Sequence, residues 1–378
     1  MGTGYYRASD WTKLKQSRGL SNSANYSQTF RNKEIKESLN SKYIDCRESF
    51  DSEDSPNSTP VIIGFDVTGS MGYLANNIAT KSLNDSILKI LESKTITNPH
   101  IMCAAFTNTD SPLQVTQFEA DIRVVEQLLD FSISGWNPSA ADNLLWYFAA
   151  KHTRIDSVKK RNKKGILIGI GDERCNQDTN TLRPAGLKNA FNEENGREYS
   201  FDETREMASE KYELFHIVIG ENMRLLPTND EYMQRRESYS GWCEALPGRV
   251  ARIKAEHVGY LDWLIISIVR LSQGEDKAQI INSITDAKIR EIIAWGMADM
   301  TMTPSKKFSL IGSKTTTKAN TNSAASSQKT VVTKMPKQAT KVDNRIIKPE
   351  KSGTSVASDV VSSQDKKPGF FGRLFGKR

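Results

Sequence analysis

The sequence predicts an α/β protein with a doubly wound, mostly parallel sheet and helices on both faces. Continuous apolar runs, such as VIIGF at 61–65 and HIMCAAF at 100–106, are typical of parallel strands that are buried on both sides. Segments of helical periodicity alternate with these runs, which is the order that βαβ units require. Oxygen-rich clusters directly follow two of the runs, where such sheets bind their ligands.

The first 58 residues are predicted to form an irregular arm that packs on the main domain. They are polar and lack sustained periodicity, but aromatic residues recur among them, including Tyr5, Trp11 and Phe30. Aromatic residues at that density are unusual in disordered chain. A short helix is expected near 32–39.

Residues 59–273 carry the alternating pattern and are predicted to form the main domain. The expected strands are 61–65, 100–106, 115–120, 163–173 and 212–220, and the expected helices are 73–93, 121–129, 141–152 and 257–272. Residues 183–212 are polar and only partly helical. A last amphipathic helix is expected over 275–300, within a C-terminal helical segment at 274–302.

Beyond the helical segment the composition becomes that of a disordered basic linker, over 303–365. Lys, Ser, Thr and Ala dominate there, and bulky apolar residues are scarce. From Thr301 onward there are 16 Lys+Arg and 4 Asp+Glu, whereas the first 300 residues carry −5 of the total net charge of +7. The tail therefore supplies the positive charge, and no specific nucleic-acid binding is expected of the folded body.

Sparse cysteines and the lack of a long apolar run predict a cytoplasmic protein. Cys46, Cys103, Cys175 and Cys243 form no CxxC pair, which argues against a zinc knuckle and suits a reducing compartment. No stretch reaches about 18 apolar residues, and the N-terminus has no apolar signal core. No GxSxG, HExxH or GxxxxGK[ST] motif occurs, so no enzymatic activity is expected. His216, inside an apolar strand, is expected to be a packed core residue.

The stretch FDVTGSMG at 65–72 places three oxygen-bearing side chains after the first apolar strand. Asp66, Thr68 and Ser70 stand at every second position, and in a strand-to-helix turn this spacing points short side chains into one pocket. Carboxylate and hydroxyl oxygens suit hard cations such as Mg²⁺. Asp172 ends another predicted strand and is a fourth candidate. In the alternative interpretation, the same side chains only cap the following helix.

DVTGSM resembles the metal-ion-dependent adhesion site (MIDAS) of von Willebrand factor type A (vWA) domains. Further collinear blocks resemble a bacterial and phage subgroup of this family: CRESFDSEDSPNS before the site, and LQVTQFEAD, YFAAKHT and KKGILIGIGDE after it. The similarity covers about residues 45–272. It implies a Rossmann-like fold, a bound divalent cation, Mg²⁺ or Mn²⁺, and protein binding rather than catalysis.

The resemblance implies that three loops hold the cation. The residues that match the ligands of the first and third loops are Asp66, Thr68, Ser70 and Asp172. In the second loop, SGWNPSAAD, Asn137 lies nearest the ligand position, with Ser139 as the alternate. Trp136 in the same loop is either a contact anchor for a partner or a residue that packs under the loop.

The resemblance also implies a bridging mechanism, in which an acidic side chain of a protein partner completes the coordination of the cation. Related type A proteins work beside AAA+ ATPases or in bacterial stress and conflict systems, and some are phage-encoded, so an AAA+ ATPase is a candidate partner. One alternative is a structural or assembly protein in which the metal site is vestigial. The other is a metal-dependent hydrolase, with Glu173 as the base that acts on a metal-bound water.

The chain closes with PGFFGRLFGKR, in a terminal segment at 366–378 that interrupts the polar tail. Four large apolar residues are spaced so that a short helix would carry them on one face; they are Phe370, Phe371, Leu374 and Phe375. This segment is expected to dock in a groove of a protein partner. The alternative is a membrane surface.

Overall fold

The structure, a computed structural model, describes residues 7–20, 26–69, 71, 83–133, 140–175, 180–220 and 239–301. The predicted linker at 303–365 and the terminal segment at 366–378 lie outside these residues, as does the first half of the helix predicted at 73–93. Within them, the expected α/β architecture with a mostly parallel central sheet is confirmed.

Among the described residues, six strands form the central sheet, and of these only the strand at one edge runs antiparallel to its neighbour. They are β2 (Thr59–Asp66), β3 (Pro99–Phe106), β4 (Gln114–Val115), β6 (Gly165–Gly171), β7 (Tyr212–Ile219) and β8 (Val250–Ile253). Their order across the sheet is β4-β3-β2-β6-β7-β8, with β4 antiparallel to β3. This is the order of doubly wound, Rossmann-like sheets, in which the direction of winding reverses between β2 and β6.

Helices flank the central sheet. They are α1 (Ala8–Ser17), α2 (Tyr26–Thr29), α3 (Leu83–Glu92), α4 (Arg123–Leu128), α5 (Asp142–Lys151), α6 (Asp156–Arg161), α7 (Pro184–Phe191), α8 (Phe201–Lys211), α9 (Leu261–Ser272), α10 (Lys277–Asn282) and α11 (Ala287–Gly296). Apolar side chains of α3, α4 and α9 join the core on one face of the sheet, and those of α5, α7 and α8 join the core on the other. No helix among the described residues is long and apolar enough to cross a membrane.

Strand β2 is continuously apolar because its side chains alternate between the two cores. Val61, Ile63 and Phe65 enter the core on the α3 side, whereas Ile62 enters the core on the α5 side. Gly64 lies against Leu145 of α5, since a Cβ at this position would collide with the leucine side chain. By the same alternation, the side chain of Asp66, the last residue of β2, points to the α5 side.

The N-terminal arm contains more regular structure than its sequence predicts. The helix expected near 32–39 is a single 3₁₀ turn, Glu37–Leu39, while α1 lies further upstream. Leu14 of α1 and Phe30 join the core on the α3 side. Beyond them, β1 (Arg47–Ser49) pairs in parallel with β5 (Thr153–Ile155) to form a second, two-stranded sheet.

Two further predicted elements differ from the structure, and one observed strand is not predicted, each for a physical reason. The strand expected at 115–120 is reduced to β4 because the chain leaves the ladder and returns only for one bridge, between Ile101 and Glu119. The helix expected at 275–300 is two helices, since Asp286 caps a new helix by accepting a hydrogen bond of 2.9 Å from the N–H of Ile289. The short strand β8 is not predicted, because four residues with a central arginine give no clear pattern.

Candidate functional site

The first-loop and third-loop acids lie together where the central sheet reverses its winding. Asp66 is the last residue of β2, and Asp172 directly follows β6, the neighbouring strand. Parallel strands end on the same edge of a sheet, so both acids lie at its carboxyl edge, where doubly wound sheets bind ligands. Asp66 is completely buried, whereas Asp172 is partly exposed.

Two hydrogen bonds from Thr68 orient the carboxylate of Asp66. The backbone N–H of Thr68 donates to Oδ1 at 2.7 Å, and its hydroxyl donates to Oδ2 at 3.0 Å. The chain turns here, because the N–H of Met71 donates to the carbonyl of Thr68 at 3.1 Å. The N–H of Val67 donates to the carbonyl of Phe106 at 3.1 Å and ties the loop to β3. The spacing D-x-T therefore places the side-chain oxygens of Asp66 and Thr68 in direct contact.

Burial and neighbouring acids raise the pKa of Asp66 well above its usual range. Loss of hydration is the largest cause, and the charges of Asp172 and Asp142 act in the same direction, while the hydrogen bonds from Thr68 oppose them. The pKa of Glu173 is also raised, by burial and then by the same two acids. Four carboxyl groups thus share one electrostatic environment, in which a divalent cation would relieve their repulsion.

The remaining predicted site residues lie outside the described residues. They are Ser70, Trp136, Asn137, Ser139, Phe370, Phe371, Leu374 and Phe375. The structure therefore brings together Asp66, Thr68 and Asp172 from the predicted set, and it leaves the contribution of the second loop as a prediction.

Both ends of the second loop are anchored close to β3. On one side, the side-chain amide of Gln114 accepts a hydrogen bond from the N–H of Ser132 at 2.6 Å and donates to its carbonyl at 2.7 Å. On the other side, the N–H of Ala141 donates to the carbonyl of Thr107 at 2.7 Å. Because Thr107 directly follows β3, the loop leaves and returns near the carboxyl edge that carries the acids.

His216 and Trp242 are site candidates that the sequence pattern does not single out, whereas Asp142 ends the second-loop block SGWNPSAAD, shifted from the place where the resemblance implies an acid. Asp142 is the first residue of α5, and its Oδ1 lies 3.3 Å from Nδ1 of His216. The imidazole stacks on the indole of Trp242, with ring centroids 3.7 Å apart and 10° between the planes. The prediction that His216 is a packed core residue is therefore incomplete, since the ring also faces an acid. The sequence signal for Asp142 is that an acid begins an otherwise apolar helix.

The block CRESFDSEDSPNS lies at the opposite, amino edge of the sheet. The hydroxyl oxygens of Ser49 and Ser55 lie 3.0 and 2.9 Å from Nδ1 and Nε2 of His100, the second residue of β3. Asp51 accepts hydrogen bonds of 2.9 Å from both the N–H and the hydroxyl of Ser58. These contacts fasten the loop before β2 to β3, so the block serves folding at a distance from the acidic edge.

The residues at the carboxyl edge fit a hard cation. The carboxylate of Asp66 is buried, is held in one orientation by Thr68 and is crowded by further acids, and all of these groups offer oxygen. No group of three or more His, Cys, Asp or Glu side chains in the described part of the chain has the geometry to hold a metal ion. A cation here would therefore depend on hydroxyl oxygens as well, among them that of Thr68.

No family model matches the sequence, and no curated protein is similar to it in sequence. Several solved structures match part of the chain. The pilus adhesin SpaC from Lactobacillus rhamnosus GG has a TM-score of 0.38 and 10% identity, over 57% of this chain and 30% of the adhesin. Proximal thread matrix protein 1 from the mussel byssus, with a zinc-occupied MIDAS motif, has a TM-score of 0.34 and 10% identity, over 57% of this chain and 46% of that one.

The protein BatB from Bacteroides thetaiotaomicron has a TM-score of 0.34 and 11% identity, over 57% of this chain and 100% of its own. The chain thus spans less than a third of the adhesin and the whole of BatB. At these identities and TM-scores the likenesses carry no argument about function. The fold class follows from the order and direction of the strands.

Proposed function

We propose that this chain is a metal-dependent protein-interaction module that binds and does not catalyse. A divalent cation, Mg²⁺ or Mn²⁺, is held at the carboxyl edge by Asp66, Thr68 and Asp172 together with the second loop, and it binds an acidic side chain of a protein partner. The observation that carries the proposal is the carboxylate of Asp66, which is fully buried at the reversal of the sheet and oriented by Thr68. An internal carboxylate that only capped a helix would not be surrounded by further acids.

The charge of the site explains why an acidic partner would depend on the cation. Asp66 and Asp172 lie at this edge, the charge of Asp142 is felt there, and the first 300 residues carry a net charge of −5. Without a cation this surface repels a carboxylate, because like charges that approach in a region of low dielectric constant are costly. The cation reverses the local sign and supplies a positive centre, while Thr68 keeps Asp66 in the orientation that would hold it.

A groove beside the first loop is suited to the residues that flank the acid of the partner. It has a volume of about 390 Å³, and its lining includes Val67 of the first loop, Thr107 after β3, Ile133 before the second loop and Lys33 of the arm. Apolar side chains such as Val67 and Ile133 and polar ones such as Lys33 and Thr107 both contribute to its lining. We propose that this groove contacts the residues on either side of the partner's acidic side chain and so distinguishes one acidic partner from another.

Calorimetric titration of the full chain with Mg²⁺ and Mn²⁺ tests the proposal. The wild-type protein is expected to bind with measurable heat, and Asp66→Ala is expected to bind neither ion. Asp262→Asn is the matched control, because Asp262 is also a buried acid but lies in α9, where it contacts Lys89 at 3.4 Å. If wild type and Asp66→Ala behave alike, the bridging mechanism is wrong, and a structural or assembly role with a vestigial metal site is favoured.

We also propose a partner for the protein and the compartment in which the two meet. A cytoplasmic AAA+ ATPase is the candidate partner, and the terminal segment at 366–378 is proposed as a second contact that docks in a groove of the same partner. Binding of a purified AAA+ ATPase can be measured with the full chain and with a chain that ends at residue 365, each with Mg²⁺ and with EDTA. Equal affinity for both chains would remove the terminal segment from the interaction.

A further inference from the structure

A cleft lies between β1 and the 3₁₀ turn Ser41–Tyr43 that precedes it. It has a volume of about 670 Å³, and its lining includes Glu37, Tyr43 and Glu48 together with Arg154 of β5. Tyr43 is 60% exposed, whereas every other large apolar side chain in the described part of the chain is at least partly buried. Exposed tyrosines are typical of protein-binding surfaces, because the ring adds contact area at a low cost in conformational entropy.

The cleft lies at the amino edge of the central sheet, opposite the candidate cation site. Helix α5 begins next to Thr107 at the carboxyl edge and runs back along the sheet, so β5, which follows it, lies at the amino edge. In β1, the hydroxyl oxygen of Ser49 lies 3.0 Å from Nδ1 of His100, at the start of β3. A ligand in the cleft would therefore not contact the residues that are proposed to hold the cation.

One edge of β1 has unused backbone groups. Within the described residues β1 pairs only with β5, and the N–H of Arg47 donates to the carbonyl of His152 at 2.8 Å. Since successive residues of a strand turn their backbone groups to opposite sides, the N–H and carbonyl of Glu48 point away from β5. Neither group has a hydrogen-bond partner in the described part of the chain. Such an edge accepts an extended peptide as an additional strand.

Acidic side chains dominate the rim of the cleft. The side chains of Asp45 and Glu48 are 95% and 44% exposed, and Glu37 adds a third carboxyl group. Arg154, with a side chain that is 63% exposed, lies 3.9 Å from Oδ2 of Asp45 and 3.5 Å from Oε1 of Glu48. Ion pairs this exposed contribute little to stability, so a cationic group of a partner can replace the guanidinium group at small cost.

The second arginine of the lining, Arg47, does not offset this charge at the surface. It is buried, and its Nη2 donates to the carbonyl of Ser38 at 2.5 Å and to the carbonyl of Val115 at 3.1 Å. These bonds tie the arm to β4 and hold the wall of the cleft in place. The open surface therefore presents three carboxyl groups and one exposed guanidinium group, which favours a basic ligand.

We propose that this cleft is a docking site for an extended, basic segment of a protein partner. The segment adds alongside β1 through the backbone of Glu48, places a lysine or arginine between Asp45 and Glu48, and packs an apolar side chain on Tyr43. This second binding surface goes beyond the proposed function, because it requires neither the cation nor the carboxyl edge of the sheet.

Fluorescence anisotropy of a labelled seven-residue peptide, in which lysine alternates with valine, tests the proposal on the full chain in EDTA. Wild type is expected to bind this peptide with an affinity that falls as the salt concentration rises. A peptide with glutamate in place of lysine is expected not to bind. A peptide with proline in place of the central valine is expected to bind about tenfold more weakly, because proline lacks the N–H that a strand donates.

Two pairs of variants locate the binding site of the peptide. Tyr43→Ala is expected to weaken binding about tenfold, whereas Tyr43→Phe keeps the ring and should bind as wild type does. Asp45→Lys is expected to weaken binding about fivefold at low salt. Glu291→Lys makes the same change of charge at an exposed position in α11 and should leave the affinity unchanged.

Four outcomes would overturn this proposal. Wild type might bind no lysine peptide, or bind the lysine and glutamate peptides equally. Unchanged affinity in both Tyr43→Ala and Asp45→Lys would place the peptide elsewhere, and equal affinity for the proline peptide would rule out docking along β1. A dimer of wild type and a monomer of Tyr43→Ala in sedimentation would show that the cleft binds a second copy of the chain. All measurements are made without a divalent cation, so these outcomes leave the proposed function untouched.

Discussion

The indole N–H of Trp242 donates a hydrogen bond of 3.0 Å to the backbone carbonyl of Glu173, one residue after the candidate ligand Asp172. The face of the same indole carries the imidazole of His216, and its edge packs against Trp146, with ring centroids 6.1 Å apart and 84° between the planes. The side chain of Trp242 therefore contacts both the third loop, at Glu173, and the buried ring of His216.

Trp242→Phe is expected to loosen the third loop while it keeps an aromatic ring in the core. The change removes the hydrogen bond to Glu173 and some packed volume, so the free energy of unfolding should fall by about 2 kcal/mol. Backbone amides at 172–175 should exchange with solvent faster, as measured by hydrogen–deuterium exchange. Trp263→Phe is the control, because Trp263 lies in α9 beside Lys89 and should leave exchange at 172–175 as in wild type. Equal exchange in Trp242→Phe and wild type would contradict the prediction.

Gly171→Ala is expected to displace Asp66. The added Cβ would lie 3.2 Å from Cβ of Asp66, which is tighter than most such contacts, so Asp66 must give by a few tenths of an ångström; its distance of 3.6 Å from Oδ2 is an ordinary contact. Because the carboxylate must shift, Mn²⁺ affinity should fall by roughly tenfold, a typical effect of disturbing the surroundings of a metal ligand. Gly259→Ala is the matched change, since no atom lies within 4 Å of the added carbon. Equal Mn²⁺ affinity for both alanine variants would show that Asp66 tolerates the shift.

The buried ring of His100 predicts a loss of stability in mild acid. Burial lowers the pKa of His100 to about 4, although the charge of Asp51 acts in the opposite direction. The unfolded chain, with a histidine pKa of about 6.5, binds this proton more readily than the folded protein. This contribution is therefore fully present above about pH 6.5 and is lost as the pH falls toward 4, by on the order of 3 kcal/mol.

Urea unfolding of wild type and His100→Gln between pH 4 and 7 measures this effect. The difference in the free energy of unfolding between the two proteins should shrink as the pH falls, since glutamine does not titrate. A difference that stays constant over this range would show that His100 can be protonated in the folded protein.

Asp130 is expected to fasten the N-terminal arm. Its Oδ1 lies 2.6 Å from Nη1 of Arg18, and its Oδ2 lies 2.7 Å from Nζ of Lys36. Since these pairs are partly exposed, Asp130→Ala should cost only about 1 kcal/mol, but cleavage within the arm by a protease should become about fivefold faster. Glu194→Ala, which removes the exposed pair with Lys188, should leave arm cleavage unchanged. Equal cleavage rates for all three proteins would mean that apolar contacts alone hold the arm.

The parts of the fold that could be predicted are those in which a short stretch of sequence carries the whole signal. Strands β2, β3, β6 and β7 are continuously apolar over most of their length because two cores bury them. The contact between Asp66 and Thr68 could likewise be predicted, since a spacing of two places both side chains on one side of the turn.

The parts that could not be predicted depend on contacts between distant segments. Strands β1, β5 and β8 are three or four residues long, and only their partners define them. Asp142 begins α5, His216 lies in β7 and Trp242 lies further along the chain, and no local pattern indicates that they meet. Gly169 of β6 makes room for Asp142 and His216, and the reason for a glycine at this position appears only once α5 and β7 are in place.

Residues of the arm lie along the outer side of the antiparallel edge strand β4. Asn40 pairs with Gln114, and the N–H of Ser41 donates to the carbonyl of Leu113 at 3.0 Å. An uncovered edge offers backbone groups to which a second chain can add, and this is a common start of aggregation. A chain that lacked its first 46 residues would therefore be expected to self-associate through β4 before it lost any ability to bind a cation.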